Sequence, residues 1–371
     1  MGRRGFSDQY RTIEMRKFLY DLATDKHKGL ILGLLKAFFS FLSLIYNLVV
    51  RGLIFFYQLN PYRVNCKVIS VGNITLGGTG KTSLVEFIAR YLKKEGHKVA
   101  IISRGYKKPN GTGEVEKTEF KTLGDEPCML KNALKDIPVL VDPDRIRSSG
   151  LAIRNYGADT VVLDDGFQQW KINKDLEIVT IDSSNPFGNQ HLLPRGILRE
   201  PLSSLKRADI FVLTKTNLNP DIQDIKDFLS SINPHALIIE SIHHPLGFYR
   251  LNKRDELLGI EALRGKTVSL LCGIGDPYSF ENLIISLGIN IGLSFIFPDH
   301  HPYSKKDLEN ISRENIKKNI DIIITTEKDA ARLTQLSVYS LQQTIFVLRI
   351  ELKITKNEQE FHNRLLQLYT S

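Results

Sequence analysis

One stretch constrains the fold more than any other: KVISVGNITLGGTGKTSLVE, residues 67–86. Val68, Ile69 and Val71 make a β-branched run that predicts a buried strand. Gly72, Gly77, Gly78 and Gly80 predict a tight, glycine-rich turn after it. Leu84, Val85, Ile88, Ala89 and Leu92 then recur at helical spacing, opened by Lys81 and Thr82. Strand, glycine loop, Lys-Thr and helix, in that order, are the context of a phosphate-binding loop. Glycine lets the backbone wrap closely enough for its N–H groups to point at phosphate oxygens. The helix N-terminus adds partial positive charge. On this reading Thr75, Leu76, Gly77, Gly78, Thr79, Gly80, Lys81 and Thr82 cradle a nucleotide. Lys81 reaches its β/γ-phosphates, and the Thr82 hydroxyl ligates magnesium. The match to G-x-x-x-x-G-K-[ST] is imperfect: Thr75 stands at the first glycine position, and Gly77 and Gly78 supply the flexibility instead. The competing reading is an ordinary glycine-rich strand-to-helix turn.

A chain of 371 residues has room for one large or two ordinary domains around that unit. Its net charge of +9 favours anionic partners: phosphates, anionic lipid surfaces or nucleic acid. Nucleic acid is the weaker of these, because no basic run is interleaved with aromatics and no zinc-finger or RNA-binding signature occurs. Cys66, Cys128 and Cys272 are far apart and unpatterned, which argues against a disulfide framework or a zinc site.

The chain opens on a polar, mildly basic leader, residues 1–28, followed by an apolar stretch at 29–57 whose only charges are Lys36 and Arg51. The segment between those charges spans roughly 21 Å as a helix, short of a ~30 Å hydrocarbon core. Lys36, Ser40, Ser43, Asn47 and Arg51 fall within a sector of roughly 80° at helical periodicity. That pattern favours a helix lying in a membrane surface, its narrow polar stripe turned to water or to the globular domain. A tilted spanning helix with snorkelling Lys36 and Arg51 and a buried core helix are the alternatives. A cleaved signal peptide does not fit the long leader and the missing small-residue site. Flanking positive charge would keep the N-terminus cytoplasmic.

Further strands are expected at 99–103, 139–141, around 160–163, at 176–181 and at 210–215. Asp164 and Asp165 end the third of these in DTVVLDDGFQQ, the Walker B position that orders a nucleotide's magnesium. Arg104 follows the first, at the carboxyl end where ligands of parallel sheets bind. Arg195 and Arg199, in LLPRGILREP, are candidate phosphate ligands or solvated loop charges. From about residue 236 the alternation of strands and helices restarts, with helices at 276–287 and 304–318 and a strand-and-helix tail over 336–371. His243-His244 and His300-His301 do not have zinc spacing. A histidine beside an acid more often tunes proton transfer.

The segments VGNITLGGTGKT, SRGY, GDEP, VVLDDGFQ, LPRGILREP, CGIGDP, FPDHH and TTEKDA occur in this order. By them the chain resembles the tetraacyldisaccharide 4'-kinase family, the lipid A 4'-kinases, over roughly residues 30–335. Thr75 in place of the first glycine is itself a trait of that family. The resemblance implies an α/β fold: a P-loop NTPase-like, mostly parallel sheet, a smaller C-terminal α/β domain and an N-terminal membrane-associated helix. The expected segments are 1–58 for the leader and helix, 59–235 for the P-loop core and 236–371 for the smaller domain. ATP and Mg²⁺ are the implied co-substrate and cofactor. The implied acceptor is the 4'-hydroxyl of a membrane-embedded tetraacyl disaccharide 1-phosphate, the product lipid IV-A, and the place the cytoplasmic face of the inner membrane. By the same resemblance Asp125 takes the sugar-hydroxyl proton and His300, directly after Asp299, pairs with it. With Asp125 and His300 in different expected domains, domain closure is expected to assemble the pair. Lys81, Thr82, Asp164 and Asp165 would neutralise phosphate charge, and Arg104, Arg195 and Arg199 would hold phosphates. The alternative is a P-loop GTPase or metallochaperone-type nucleotide switch. It lacks its guanine-reading aspartate after Lys215 and a convincing metal-ligand set.

Overall fold

The computed structural model describes residues 30–104, 113–114, 124–219, 221–334, 336 and 341–370. The basic leader, Gly105 and Tyr106, and most of the polar stretch after them lie outside the described residues.

In chain order the elements are α1 (Leu30–Gln58), β1 (Lys67–Gly72), α2 (Lys81–Lys94), β2 (Val99–Ser103), β3 (Gly113–Glu114), α3 (Asp125–Ala133), β4 (Val139–Val141) and α4 (Arg145–Tyr156). They continue with β5 (Thr160–Asp164), β6 (Leu176–Asp182), β7 (Ile210–Thr214), α5 (Ile222–Ile232), β8 (Leu237–Arg250), β9 (Lys253–Leu258) and β10 (Thr267–Cys272). The last are α6 (Pro277–Ser286), β11 (Asn290–Ile296), α7 (Lys305–Lys317), β12 (Ile322–Thr326), α8 (Glu327–Leu333), β13 (Thr344–Lys356) and α9 (Glu358–Leu366).

Two compact units divide the chain, and neither is contiguous. The first comprises Met1–Lys81, Asp165–Ser241 and Ile354–Ser371; the second comprises Thr82–Asp164 and Ile242–Lys353. These groupings differ from the contiguous segments 59–235 and 236–371.

In the first unit β1, β6, β7 and the start of β8 run parallel, with Val71 opposite Ile178, Val179 opposite Phe211 and Val212 opposite Ile239. These strands are near-continuous β-branched runs because both their faces are covered. Phe167, Val179, Phe211, Leu213 and Leu229 centre the core, each side chain contributing about 1.5–3 kcal/mol by burial. The C-terminal tail belongs to this unit: Asn357 Nδ2 donates to the Ile238 carbonyl at 2.8 Å. Along α1, Ser43 and Val50 are buried. Ser43 Oγ donates to the Leu192 carbonyl at 2.9 Å, and Tyr46 Oη to that of Arg199 at 2.9 Å. The side that holds Ser43, Tyr46 and Val50 therefore seats the helix on the protein, while Ser40 and Arg51 of the polar stripe stay exposed. Leu34, Phe38, Phe41, Leu44 and Leu48 point away from that seat and are exposed. The buried-core reading of this helix is thereby corrected: its seat is one row of side chains wide.

In the second unit β5, β2 and β4 run parallel, with β3 antiparallel on β4. A second parallel set follows the order β11, β10, β12, β13. Antiparallel β9 pairs with the end of β8. Helix α3 packs against α8 within this unit, with Cys128, Val141 and Ala331 in one buried cluster. That packing brings the N-terminal turn of α3, which begins at Asp125, onto the basic side chains of α8.

Candidate functional site

The glycine loop hangs between the end of β1 and Lys81, the first residue of α2. Its shape is fixed from below. Thr79 Oγ1 and Thr180 Oγ1 share a hydrogen bond at 2.7 Å, and Thr214 Oγ1 donates to the Thr79 carbonyl at 3.2 Å. From the side, Leu76 N donates to the Ile197 carbonyl at 2.8 Å and Arg199 N to that of Ile74 at 2.7 Å. Gly77 adopts φ +118° and Gly80 φ +81°, conformations that only glycine reaches readily. The space that a Cβ would occupy at Gly77 or Gly78 is open, so the loop presents bare backbone.

Lys81 Nζ lies 3.2 Å from Asn73 Oδ1 and 3.6 Å from Asp165. Arg199 Nη1 bridges the same two residues, at 2.8 and 3.1 Å from the Asp165 carboxylate and 3.3 Å from Asn73 Oδ1. Asp165 is thus the counter-ion of two cations, and its backbone takes the left-handed φ of +54° to reach them. Asp164 is buried at the end of β5, where its Oδ2 accepts from Ser103 Oγ at 3.0 Å and its carbonyl from Arg145 Nη2 at 3.1 Å. Thr82, one residue into α2, is half-buried. Arg195 is buried in the segment that carries Arg199, and Arg104 is exposed after β2. Of the three arginines singled out in the sequence, Arg199 is the one whose guanidinium joins Lys81 and Asp165.

Thr82, Asp164 and Asp165 offer the hard oxygen donors that Mg²⁺ takes. Mg²⁺ needs only one or two carboxylates beside phosphate oxygens and water. Each of these side chains is of the donor type that suits the ion, although no cluster of three or more His, Cys, Asp or Glu side chains suited to a metal occurs among the described residues.

In the second unit His300 Nδ1 is 2.8 Å from Asp125 Oδ2. Both residues fall within this unit, and the packing of α3 on α8 holds Asp125 in place. His300 sits at φ +60° and its side chain is 41% exposed, open to an incoming group. Its Nε2 lies 3.7 Å from Asp299. Partial burial pushes the Asp125 carboxyl up, but the His300 hydrogen bond and the Arg332 and Lys328 charges outweigh it, leaving it below the usual carboxylate range. The bond to Asp125 raises the His300 imidazole, against partial burial, and Asp299 adds to the rise. His301, its neighbour, is buried against Phe297 and Tyr303 and pairs with Asp307 at 3.2 Å.

Sequence reasoning missed the side chains that support these groups. Gln168 Nε2 donates to the Asn73 carbonyl and to Glu200, each at 3.0 Å, and Glu200 also holds Trp170 and Arg207. Arg332 Nε lies 3.3 Å from Asp125. Gln168 and Glu200 fall inside GFQ and REP, so the motifs carried the signal; Arg332 falls just beyond TTEKDA, where nothing local marks it.

A family model described as tetraacyldisaccharide-1-P 4'-kinase matches residues 35–370. The chain belongs to this family. It is 37% identical over 339 residues to the tetraacyldisaccharide 4'-kinase of Halothermothrix orenii, covering 85% of this chain and 88% of that one. To the enzyme of the same name from Desulfatibacillum aliphaticivorans it is 33% identical over 354 residues, covering 91% and 94%. The crystal structure of "apo" form LpxK from Aquifex aeolicus in complex with ATP matches with a TM-score of 0.74 at 27% identity, over 90% of this chain and 99% of that one. Membership of a kinase family leaves the nucleotide-switch alternative without support.

Proposed function

We propose that this chain transfers the γ-phosphate of ATP to the 4'-hydroxyl of a tetraacyl disaccharide 1-phosphate, giving lipid IV-A. One observation carries the reading: a chain of this kinase family has both a bare glycine loop with Lys81 and a pre-formed Asp125–His300 pair. Phosphoryl transfer asks the protein chiefly for positioning and charge neutralisation. Loop N–H groups and Lys81 would bind the ATP phosphates. Asp165 and Arg199 orient Lys81, and Arg104, Arg195 and Arg199 are the guanidinium groups proposed for phosphates of either substrate. Mg²⁺ held by Thr82, Asp164 and Asp165 would neutralise phosphate charge. Asp125 accepts the proton of the 4'-hydroxyl as the new P–O bond forms, and His300 tunes that carboxylate.

The acceptor is a lipid, and helix α1 supports work at a membrane surface. Its exposed apolar row suits the headgroup–acyl boundary, while Ser43 and Tyr46 keep the opposite side on the protein. We infer the cytoplasmic face, where ATP is available and the basic leader would stay.

Transfer of ³²P from γ-labelled ATP to detergent-dispersed tetraacyl disaccharide 1-phosphate tests the reading. Wild type labels the lipid, and Lys81→Ala loses about 10²–10³-fold in kcat. ATP hydrolysis by wild type with no labelled lipid would overturn it.

A further inference from the structure

Asp125 is anchored by more than His300. Arg332, on α8, places Nε 3.3 Å from Asp125 Oδ2, the same oxygen that pairs with His300 Nδ1. Both contacts fall on Oδ2, which leaves Oδ1 to meet an incoming hydroxyl. The Nε–H itself is directed at the Lys328 carbonyl at 3.4 Å, so Arg332 meets Asp125 as an ion pair, and the rest of the guanidinium is fully used. Its Nη1 donates to the His301 carbonyl at 3.0 Å, and Nη2 to the Gly273 carbonyl at 2.9 Å. Nη2 also lies 2.9 Å from Asp329 Oδ1. One buried side chain therefore touches Asp125, the loop that carries His300 and the end of β10.

Arg332 is itself held by Asp329, which is fully buried. The Asp329 carboxylate accepts from Gly273 N at 2.9 Å, Tyr303 Oη at 2.8 Å and Thr326 Oγ1 at 2.6 Å. A planar guanidinium with fixed donors suits such a bracket; a lysine ammonium offers charge without the fork. His300 at φ +60° needs a surrounding that over-determines its loop, and the Arg332 bonds to His301 and Gly273 supply one.

We propose that Arg332, braced by Asp329, is the positioning residue of the phosphoryl-transfer site, fixing Asp125 and the His300 loop so that Asp125 Oδ1 takes the acceptor proton. The proposal rests on the kinase reading for the identity of that proton. The charged and titratable groups around Asp125 are His300 and Asp299 from the loop after β11, and Lys328, Asp329 and Arg332 from α8. Glu126 and Cys128 lie on its own helix.

The test is the pH dependence of lipid phosphorylation by the full chain. Arg332→Gln removes a cation beside Asp125, so the acid limb of kcat/KM moves to higher pH and kcat falls about 10–100-fold, with KM for ATP unchanged. Arg332→Lys restores the limb more fully than it restores kcat. Because Arg332→Gln leaves Asp329 buried and uncompensated, the double variant Arg332→Gln/Asp329→Asn is measured beside it. The Asp125 carboxyl titration, followed by ¹³C NMR of ¹³Cγ-aspartate protein and assigned by its loss in Asp125→Asn, reads the same shift without turnover. An unchanged Asp125 titration in folded Arg332→Gln, or in the double variant compared with Asp329→Asn alone, overturns the proposal whether or not lipid is labelled. So does a loss of activity uniform across pH, which marks a merely structural role. Absence of lipid labelling by wild type counts against the kinase reading alone.

Discussion

The glycine loop and the Asp125–His300 pair solve opposite problems with opposite materials. The loop of the first unit is made of backbone: Gly77 and Gly80 at positive φ, with Thr180, Thr214 and Ile197 fastening it from outside. Its partners for a phosphate are N–H groups and the helix end, which hold one fixed charge state at every pH. The pair in the second unit is made of side chains from elements far apart in the chain. On the proposed reading it changes protonation, and its support is ionic: Arg332, Lys328 and the bracing Asp329. A site that only binds anions can be built locally, whereas a site that moves a proton needs a tuned carboxylate and hence tertiary packing.

The largest effect that sharpens this contrast comes from the side-chain half. Asp125→Asn keeps the shape of the carboxyl and removes its basicity, so kcat for lipid phosphorylation falls by about 10²–10⁴-fold. ATP affinity, which the proposed function assigns to the loop, stays at its wild-type value in equilibrium dialysis. A parallel loss of ATP binding would show that the two regions are not separable.

The backbone half breaks differently. Gly77→Ala places a Cβ in open space, so its cost is conformational alone, about 1–2 kcal/mol for a non-glycine residue at φ +118°. That predicts about a tenfold rise in KM for ATP, with the pH profile of kcat unmoved. Gly72→Ala makes the useful contrast. Its Cβ would stand 2.5 Å from Phe167 N and Cβ, so it lowers the melting temperature by several degrees rather than weakening ATP selectively. If both substitutions act only on stability, the loop glycines serve packing and not phosphate approach.

This division also explains what the sequence discloses. Val68 to Val71, the glycines and the apolar helix positions after Lys81 are neighbours in the chain, so β1, the loop and α2 stand where periodicity places them. Strand β2 and the ends of β6, β7, α6 and α7 agree to within about two residues, which is the usual play in such boundaries. What local pattern does not carry is long-range grouping. Strand β8 begins at Leu237, next to the expected boundary, but the division between the units falls inside it, after Ser241, and the tail from Ile354 returns to the first unit. Arg332 is the sharper case. A single arginine in a short helix looks like a surface charge, and only the packing of α3 against α8 reveals that it meets Asp125. Asp125 and His300 were legible through family motifs, their enclosure within one unit was not.

The smallest effect separates tuning from chemistry, and it is read in stability. The His300 imidazole is raised above its usual 6.5 by Asp125, so its pairing stabilises the fold fully below about pH 6.5 and loses that contribution as pH rises through the folded value. The Asp125 carboxyl is held below 3.8, so its share is present above about pH 4 and disappears as pH falls through the lowered value. Both terms therefore coincide between about pH 4 and 6.5. A pair this open to solvent is worth under about 1 kcal/mol, or roughly 2 °C in melting temperature. His300→Gln should then melt about 2 °C below wild type at pH 5.5, with the gap closing at alkaline pH. A gap that stays constant across that range would mean that His300 is held by packing of its loop, leaving Arg332 as the chief electrostatic partner of Asp125.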